Sequence, residues 1–232
     1  MSMTHILLPA HGRWPADVAL WHVPLDLASA QIEGWSTLNA QERERAARYR
    51  QDADRVRFAA TRAALRAVLG DCVGEPAQSL RFDLSARGKP ALAGLPEHLA
   101  RISFNVSHAG AHALIAVSRT RGVGVDIEPV TQDLDWQDIV AEVCTARERS
   151  LLDATASPQR SARFFRYWTA KEAVLKARGT GIAEDGVLRE LEIDEERREC
   201  RARHADHHGV LRYTWIDDIA GHIGCLAFNM DC

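Results

Sequence analysis

The chain has 232 residues, 46% hydrophobic and 26% charged, with a formal net charge of −3. This is the composition of a globular protein that buries a core without disulfide staples, and the slight acidic balance argues against a general nucleic-acid or membrane-surface binder, which carries a basic excess. Cys72, Cys144, Cys200, Cys225 and Cys232 are odd in number and follow no framework spacing; with no export signal and no apolar run of membrane-spanning length, they read as reduced thiols of a cytoplasmic protein.

Residues 5–8 and 18–23 read as short strands between proline and glycine breaks. Asn39 followed by Glu42 is a capping-box pattern that opens a charged helix over 41–50. A second helix is predicted from Arg55 to Leu69, ending at Gly70, with Ala60, Ala64, Leu65 and Val68 on its apolar face. Residues 80–92 hold a strand and the turn Ser85–Pro90. Ile102–Val106 alternates as a half-buried strand does, Ala113–Val117 is apolar enough to be covered on both faces, and Gly122–Ile127 is a third strand. Arg119–Arg121 is the turn between the last two strands, and the boundary between two halves falls there, giving 1–120 and 121–232.

The second half begins with a helix at Trp136–Val143. Thr145 and Glu148 form another capping box, and Ser157-Pro158 starts a longer helix that runs to Ala177 with Gly179 just beyond. The remainder reads as β, at Leu191–Ile193, Leu211–Ile216 and Ile223–Phe228. The fold class is therefore α+β, with helices packed on a small, largely antiparallel sheet in each of the two halves.

Asp126 and Glu128 stand two apart at a strand end, so both carboxylates lie on one face of the sheet. Two carboxylates buried together repel; either the strand end is solvated or a cation lies between them, and magnesium suits the second case. Glu172 and Lys176 are four apart on the long helix, flanked by Trp168 and Leu175. They read either as a routine surface pair or as an acid that holds metal beside an ammonium that neutralises phosphate. Phe104–Gly110 ends a strand with Ser107 and His108, a turn able to face a phosphate, and Gly88-Lys89-Pro90 is a rigid turn with a cation. Arg43, Arg45, Arg48, Arg55, Arg57 and Arg62 make a basic stretch, most of it solvated helix charge, with one or two forked donors for a phosphate.

Taken in order, Gly88-Lys89-Pro90, Phe104–His108, Gly122–Glu128 and Trp168–Lys176 resemble the surfactin-synthetase-type phosphopantetheinyl transferases. The resemblance covers residues 38–182 well. It implies a monomer of two similar α+β halves, with coenzyme A and Mg²⁺ in the cleft between them, and as partner an acyl or peptidyl carrier protein domain. Asp126, Glu128 and Glu172 would be the metal ligands, and Lys176 would contact the pyrophosphate. His108 and a helical arginine, best aligned at Arg45 and Arg57, would hold the 3′-phosphate; Ser107 and the Lys89-Pro90 turn would border the adenosine. Glu148 matches a carboxylate proposed as general base, although it is equally the second member of a capping box. Ala109 departs from the hydroxyl residue found in many relatives.

Other readings leave these segments unexplained. No Gly-x4-Gly-Lys-[Ser/Thr] loop and no Gly-x-Gly-x-x-Gly occurs, which disfavours a P-loop kinase or a Rossmann oxidoreductase. A different magnesium enzyme, such as a nucleotidyltransferase, does not account for Trp168–Lys176. An inactive coenzyme A-binding or carrier-docking module has no need of three converging carboxylates. Cys200, His204, His207 and His208 have zinc-like spacing but read as a charged hairpin loop, and the six tryptophans read as core and interface anchors.

Overall fold

The computed structural model describes residues 4–84, 89–130, 136–179, 187–202 and 210–230. Gly88, His204, His207, His208 and Cys232 lie outside the described residues. The first sheet is built from β1 (Ile6–Leu7), β2 (Val18–Pro24), β5 (Ser103–Ala109) and β6 (His112–Ser118) in the order β1-β2-β6-β5. Between β2 and β5 come α1 (Ala40–Ala47), α2 (Asp52–Val73) and the separate hairpin of β3 (Arg81–Leu84) and β4 (Pro90–Ala93).

After β6 the chain crosses to a second sheet. Its strands are β7 (Val123–Pro129), β8 (Leu191–Asp194), β9 (Glu199–Ala202), β10 (Leu211–Ile216) and β11 (His222–Asn229), in the order β7-β11-β10-β9-β8. Among the described residues, three α-helices stand between β7 and β8: α3 (Trp136–Val143), α4 (Ala146–Asp153) and α5 (Ser157–Arg178). Every pairing in both sheets is antiparallel. Each half thus carries one 22-residue helix, α2 or α5, packed on an antiparallel sheet.

Local signals explain most of these boundaries. Both capping boxes form, at Asn39/Glu42 and at Thr145/Glu148. Pro158 stands in the first turn of α5, and Gly179 ends it at φ 72°. Residues 113–117 of β6 are buried throughout, because α2 covers one face and the second sheet approaches the other.

Two expectations need correction. The second helix does not stop at Gly70; it continues to Val73 and is capped by Gly74 at φ 76°. Gly70 is a packing glycine, since a Cβ there would lie 2.7 Å from the Glu75 carbonyl oxygen. Cys200 is not in a charged loop. It lies buried on β9, opposite Ile193 of β8 and Leu211 of β10. The alternation of Glu199, Cys200, Arg201 and Ala202 is too short to register as a strand against its charged neighbours.

The basic stretch is largely neutralised within the fold. Glu42 caps α1 and also binds Arg62 at 2.6 Å and the fully buried Arg66 at 2.8 Å. Arg66 donates further to the carbonyls of Ala77 and Leu80, so one carboxylate joins α1, α2 and the following loop. Arg48 pairs with Glu44, Arg55 with Asp52 and Arg57 with Asp54.

Candidate active site

The two sheets meet where β5 lies against β7, and polar side chains make the joint. Ser103 Oγ accepts from Val123 N at 3.3 Å, Asn105 Oδ1 accepts from Val125 N at 3.0 Å, and Ser107 Oγ donates to Asp126 Oδ1 at 2.8 Å. Residues 103, 105 and 107 alternate along the strand, so they share the face turned to β7. That period-two Ser-x-Asn-x-Ser pattern was visible in the sequence, but sequence reasoning did not take it as an inter-half joint.

On the other side of β7 lies α5. Gly124 lets the two backbones touch: a Cβ there would run into the Ala173 carbonyl oxygen and the Ala177 nitrogen. This contact carries Glu172 and Lys176 over Asp126. Lys176 Nζ reaches Asp126 Oδ1 at 2.5 Å and Ser107 Oγ at 3.2 Å. The structure thereby gathers Ser107, Asp126 and Lys176 in one hydrogen-bonded group.

The electrostatics of the group are unbalanced. Asp126 and Glu172 are 2% and 3% exposed, and Asp126 Oδ2 and Glu172 Oε1 are buried without a hydrogen-bond partner. Burial first, and then the charge of Asp126 and of Glu128, push Glu172 up to about 7. Burial and the Asp126 charge push Glu128 up to about 7, against Lys176 and a hydrogen bond from Trp168. Asp126 is also raised by burial, although Lys176 and Ser107 oppose the shift. One ammonium faces three mutually repelling carboxylates.

A divalent cation fits this chemistry. The donor set is all oxygen, which suits magnesium, and two of its atoms are buried without partners. Among the described residues no three such side chains are drawn into a ligating cluster as they stand; the Lys176 ammonium occupies Asp126 instead.

The residues expected to face a phosphate are placed in part. His108 is solvent-facing on β5, and partial desolvation, then the charges of Arg57 and Lys176, hold its imidazole below the ordinary value. Arg57 donates from Nε to the Gly110 carbonyl at 2.9 Å, which sets it at the β5–β6 turn beside His108. Arg45 lies over the Phe58 ring at 4.9 Å, and Pro90 begins β4. Lys89 sends its ammonium to the Lys176 carbonyl at 2.8 Å and the Val123 carbonyl at 3.3 Å.

Glu148 is not joined to the group. It is buried, accepting from Thr145 N at 2.8 Å, Ile193 N at 3.0 Å and the buried Lys171 ammonium at 2.5 Å. Lys171 also donates to Val143 O. The sequence placed Lys171 beside Glu172, but helical geometry turns adjacent residues to different faces.

Both halves match a transferase. Residues 122–218 match the 4′-phosphopantetheinyl transferase superfamily, and residues 29–120 match the 4′-phosphopantetheinyl transferase N-terminal family. Similar proteins include 4′-phosphopantetheinyl transferase HetI of Nostoc sp., 39% identical over 178 residues that cover 76% of this chain and 73% of that one. A phosphopantetheinyl transferase of Thraustochytrium sp. is 31% identical over 194 residues, 79% of this chain and 66% of its own. The chain belongs to the 4′-phosphopantetheinyl transferase superfamily. No helix among the described residues is long and apolar enough to cross a membrane.

Proposed function

We propose that this enzyme is of the surfactin-synthetase type and transfers 4′-phosphopantetheine from coenzyme A to a serine of an acyl or peptidyl carrier protein domain, releasing adenosine 3′,5′-bisphosphate. The observation that carries the reading is the pair of buried carboxylates Asp126 and Glu172 beside the half-buried Lys176 at the joint of the two sheets, with two carboxylate oxygens lacking partners. The halves 1–120 and 121–232 are the working units, with coenzyme A in the cleft between them. Asp126, Glu128 and Glu172 would hold Mg²⁺, which when bound supplies Lewis-acid stabilisation of the pyrophosphate oxygens.

The chain's own residues do the rest. Lys176 turns from Asp126 to the pyrophosphate and stabilises the charge that grows there. Arg57, steadied by Asp54 and Gly110, and His108 hold the 3′-phosphate, with Arg45 as a second guanidinium. Ser107 and the Lys89-Pro90 turn border the adenosine, the Lys89 ammonium itself being engaged with the Lys176 and Val123 carbonyls. The carrier serine Oγ bonds to the β-phosphorus, the bond to the bridging oxygen breaks, and the serine proton passes to solvent. Alignment and electrostatics are sufficient for such a transfer. Glu148, with both oxygens engaged, acts as a brace that holds Lys171 and α4 against α5. The working form is a monomer in the cytoplasm, without nucleic acid or membrane as partner.

Intact-mass spectrometry of an apo carrier protein incubated with the enzyme, coenzyme A and Mg²⁺ tests this. The expected result is a gain of one phosphopantetheine that EDTA abolishes. No gain across acyl and peptidyl carriers, with coenzyme A still bound, overturns it in favour of an inactive binding or docking module.

A further inference from the structure

Lys89 immediately precedes β4 in the first half, yet its ammonium ends in the second half. It donates to the carbonyl of Lys176, in the last turn of α5, at 2.8 Å, and to the carbonyl of Val123, at the start of β7, at 3.3 Å. The aliphatic stem lies along the helix cap, because a Cβ on Gly179 would stand 3.5 Å from Lys89 Cδ. Gly179 closes α5 at φ 72° and donates its own amide to the same Lys176 carbonyl at 3.2 Å. A cation at this point also meets the negative end of the helix dipole. Burial holds the ammonium down at about 8, which marks a desolvated group and not a surface lysine.

The carbonyl that Lys89 grips belongs to the residue whose side chain faces Asp126. Lys176 is thereby held at both ends: its backbone by Lys89 from the first half, its Nζ by Asp126 and Ser107. Val123 O lies three residues before Asp126 on the same strand. One ammonium therefore ties together the helix end and the strand that bear the two halves of the central ion pair.

We propose that Lys89 is a positioning residue, a clamp from the first half that sets α5 and β7 in register so that Lys176 stands over Asp126. Its role for the transfer reaction rests on the function proposed above. The clamp acts through Lys176 and makes its contribution to turnover, not to the binding of coenzyme A.

The test compares Lys89→Met and Lys89→Arg with the unaltered enzyme. Each is measured for kcat, for KM toward coenzyme A, and for backbone hydrogen exchange over residues 175–179. The expected result for Lys89→Met is a kcat lower by about 10- to 100-fold, the scale of a misplacement near 1 Å, with KM changed less than about twofold. Exchange in the last turn of α5 should rise, and Lys89→Arg, which keeps the cation and its donors, should restore most of kcat. A raised KM with kcat intact would instead make Lys89 a substrate contact and overturn the clamp. Lower thermal stability with both kinetic constants intact would reduce it to a structural tie and overturn it equally. If the unaltered enzyme transfers nothing, the proposed function fails, while the exchange measurement still decides the clamp: no change in Lys89→Met rejects it.

Discussion

Lys171→Met separates two accounts of Glu148. The ammonium and the carboxylate face each other at 2.5 Å, both side chains sealed from solvent. Methionine keeps the length of lysine but leaves the Glu148 charge buried with only the Thr145 and Ile193 amides. Breaking a buried pair by removing one member costs about 3–5 kcal/mol. In a chain of this size that lowers Tm by about 6–20 °C. The double variant Lys171→Met/Glu148→Gln removes the stranded charge and should recover part of the loss, a coupling that independent residues do not show. The brace account expects Glu148→Gln to lower Tm while kcat per folded molecule, assayed well below Tm, changes less than about tenfold. A general base instead loses about 10²–10⁴ in kcat, with Tm nearly intact. Thermal unfolding followed by tryptophan fluorescence, together with the carrier-mass assay, reads both quantities. A loss in Glu148→Gln beyond about 100-fold in kcat with Tm unmoved refutes the brace.

Asp126→Asn should lower transfer by at least about 10²-fold, the scale of a lost electrostatic stabiliser, and abolish Mg²⁺ binding in calorimetry; near-normal transfer rejects the metal assignment. Gly124→Ala should destabilise the protein by more than the ~1–3 kcal/mol of an ordinary overpacked core, because the obstacle is the backbone of α5; urea unfolding with an unchanged midpoint would contradict that packing. His22, His112 and His222 form a ring cluster, with His22 Nε2 and His112 Nδ1 3.0 Å apart. Burial, then neighbouring imidazole charge, hold His22 and His112 below their ordinary value. Unfolded imidazoles near 6.5 take protons first, so the stability these residues contribute is present above about pH 6.5 and is lost as pH falls below it. The pair His22→Asn and His112→Asn should flatten the stability slope between about pH 7 and 5; an unchanged slope would clear the cluster of that role.

Helix ends were readable because they depend on near neighbours. Asn39 with Glu42, Thr145 with Glu148, and Gly179 after α5 each act within a few residues. Gly70 misled for the complementary reason. It looks like a helix stop, but what it answers is the approach of Glu75 to the helix flank. Strand β9 escaped because its pairing with β8 and β10, not its own four residues, makes it a strand. Within the site, the resemblance assigned Asp126, Glu128, Glu172 and Lys176 to one cleft but not the Asp126–Lys176 contact, and Glu148 carries the same residue type and spacing whether it caps a helix or faces a substrate. Only the position of Lys171, 23 residues along the chain and buried against it, distinguishes the two.

The acidic group is costly in itself. Asp126 and Glu172 are buried with unpartnered oxygens, and Glu172 and Glu128 are both driven up to about 7. The contacts of Lys176 and Ser107 with Asp126 do not offset that cost, since one lysine does not balance three carboxylates. What holds it is packing. Gly124 lets α5 lie directly on β7, the side chains of Ala173 and Ala177 are small enough to keep it there, and α5 is secured by a core running from Val143 to Ala227. From the other side, Ser103, Asn105 and Ser107 fasten β5 to β7 through their side chains. A strand clamped on both flanks cannot relieve the repulsion by moving, so the carboxylates remain where a cation would be bound. In this enzyme the uncharged residues that force the backbones together determine the electrostatics as much as the charged ones do.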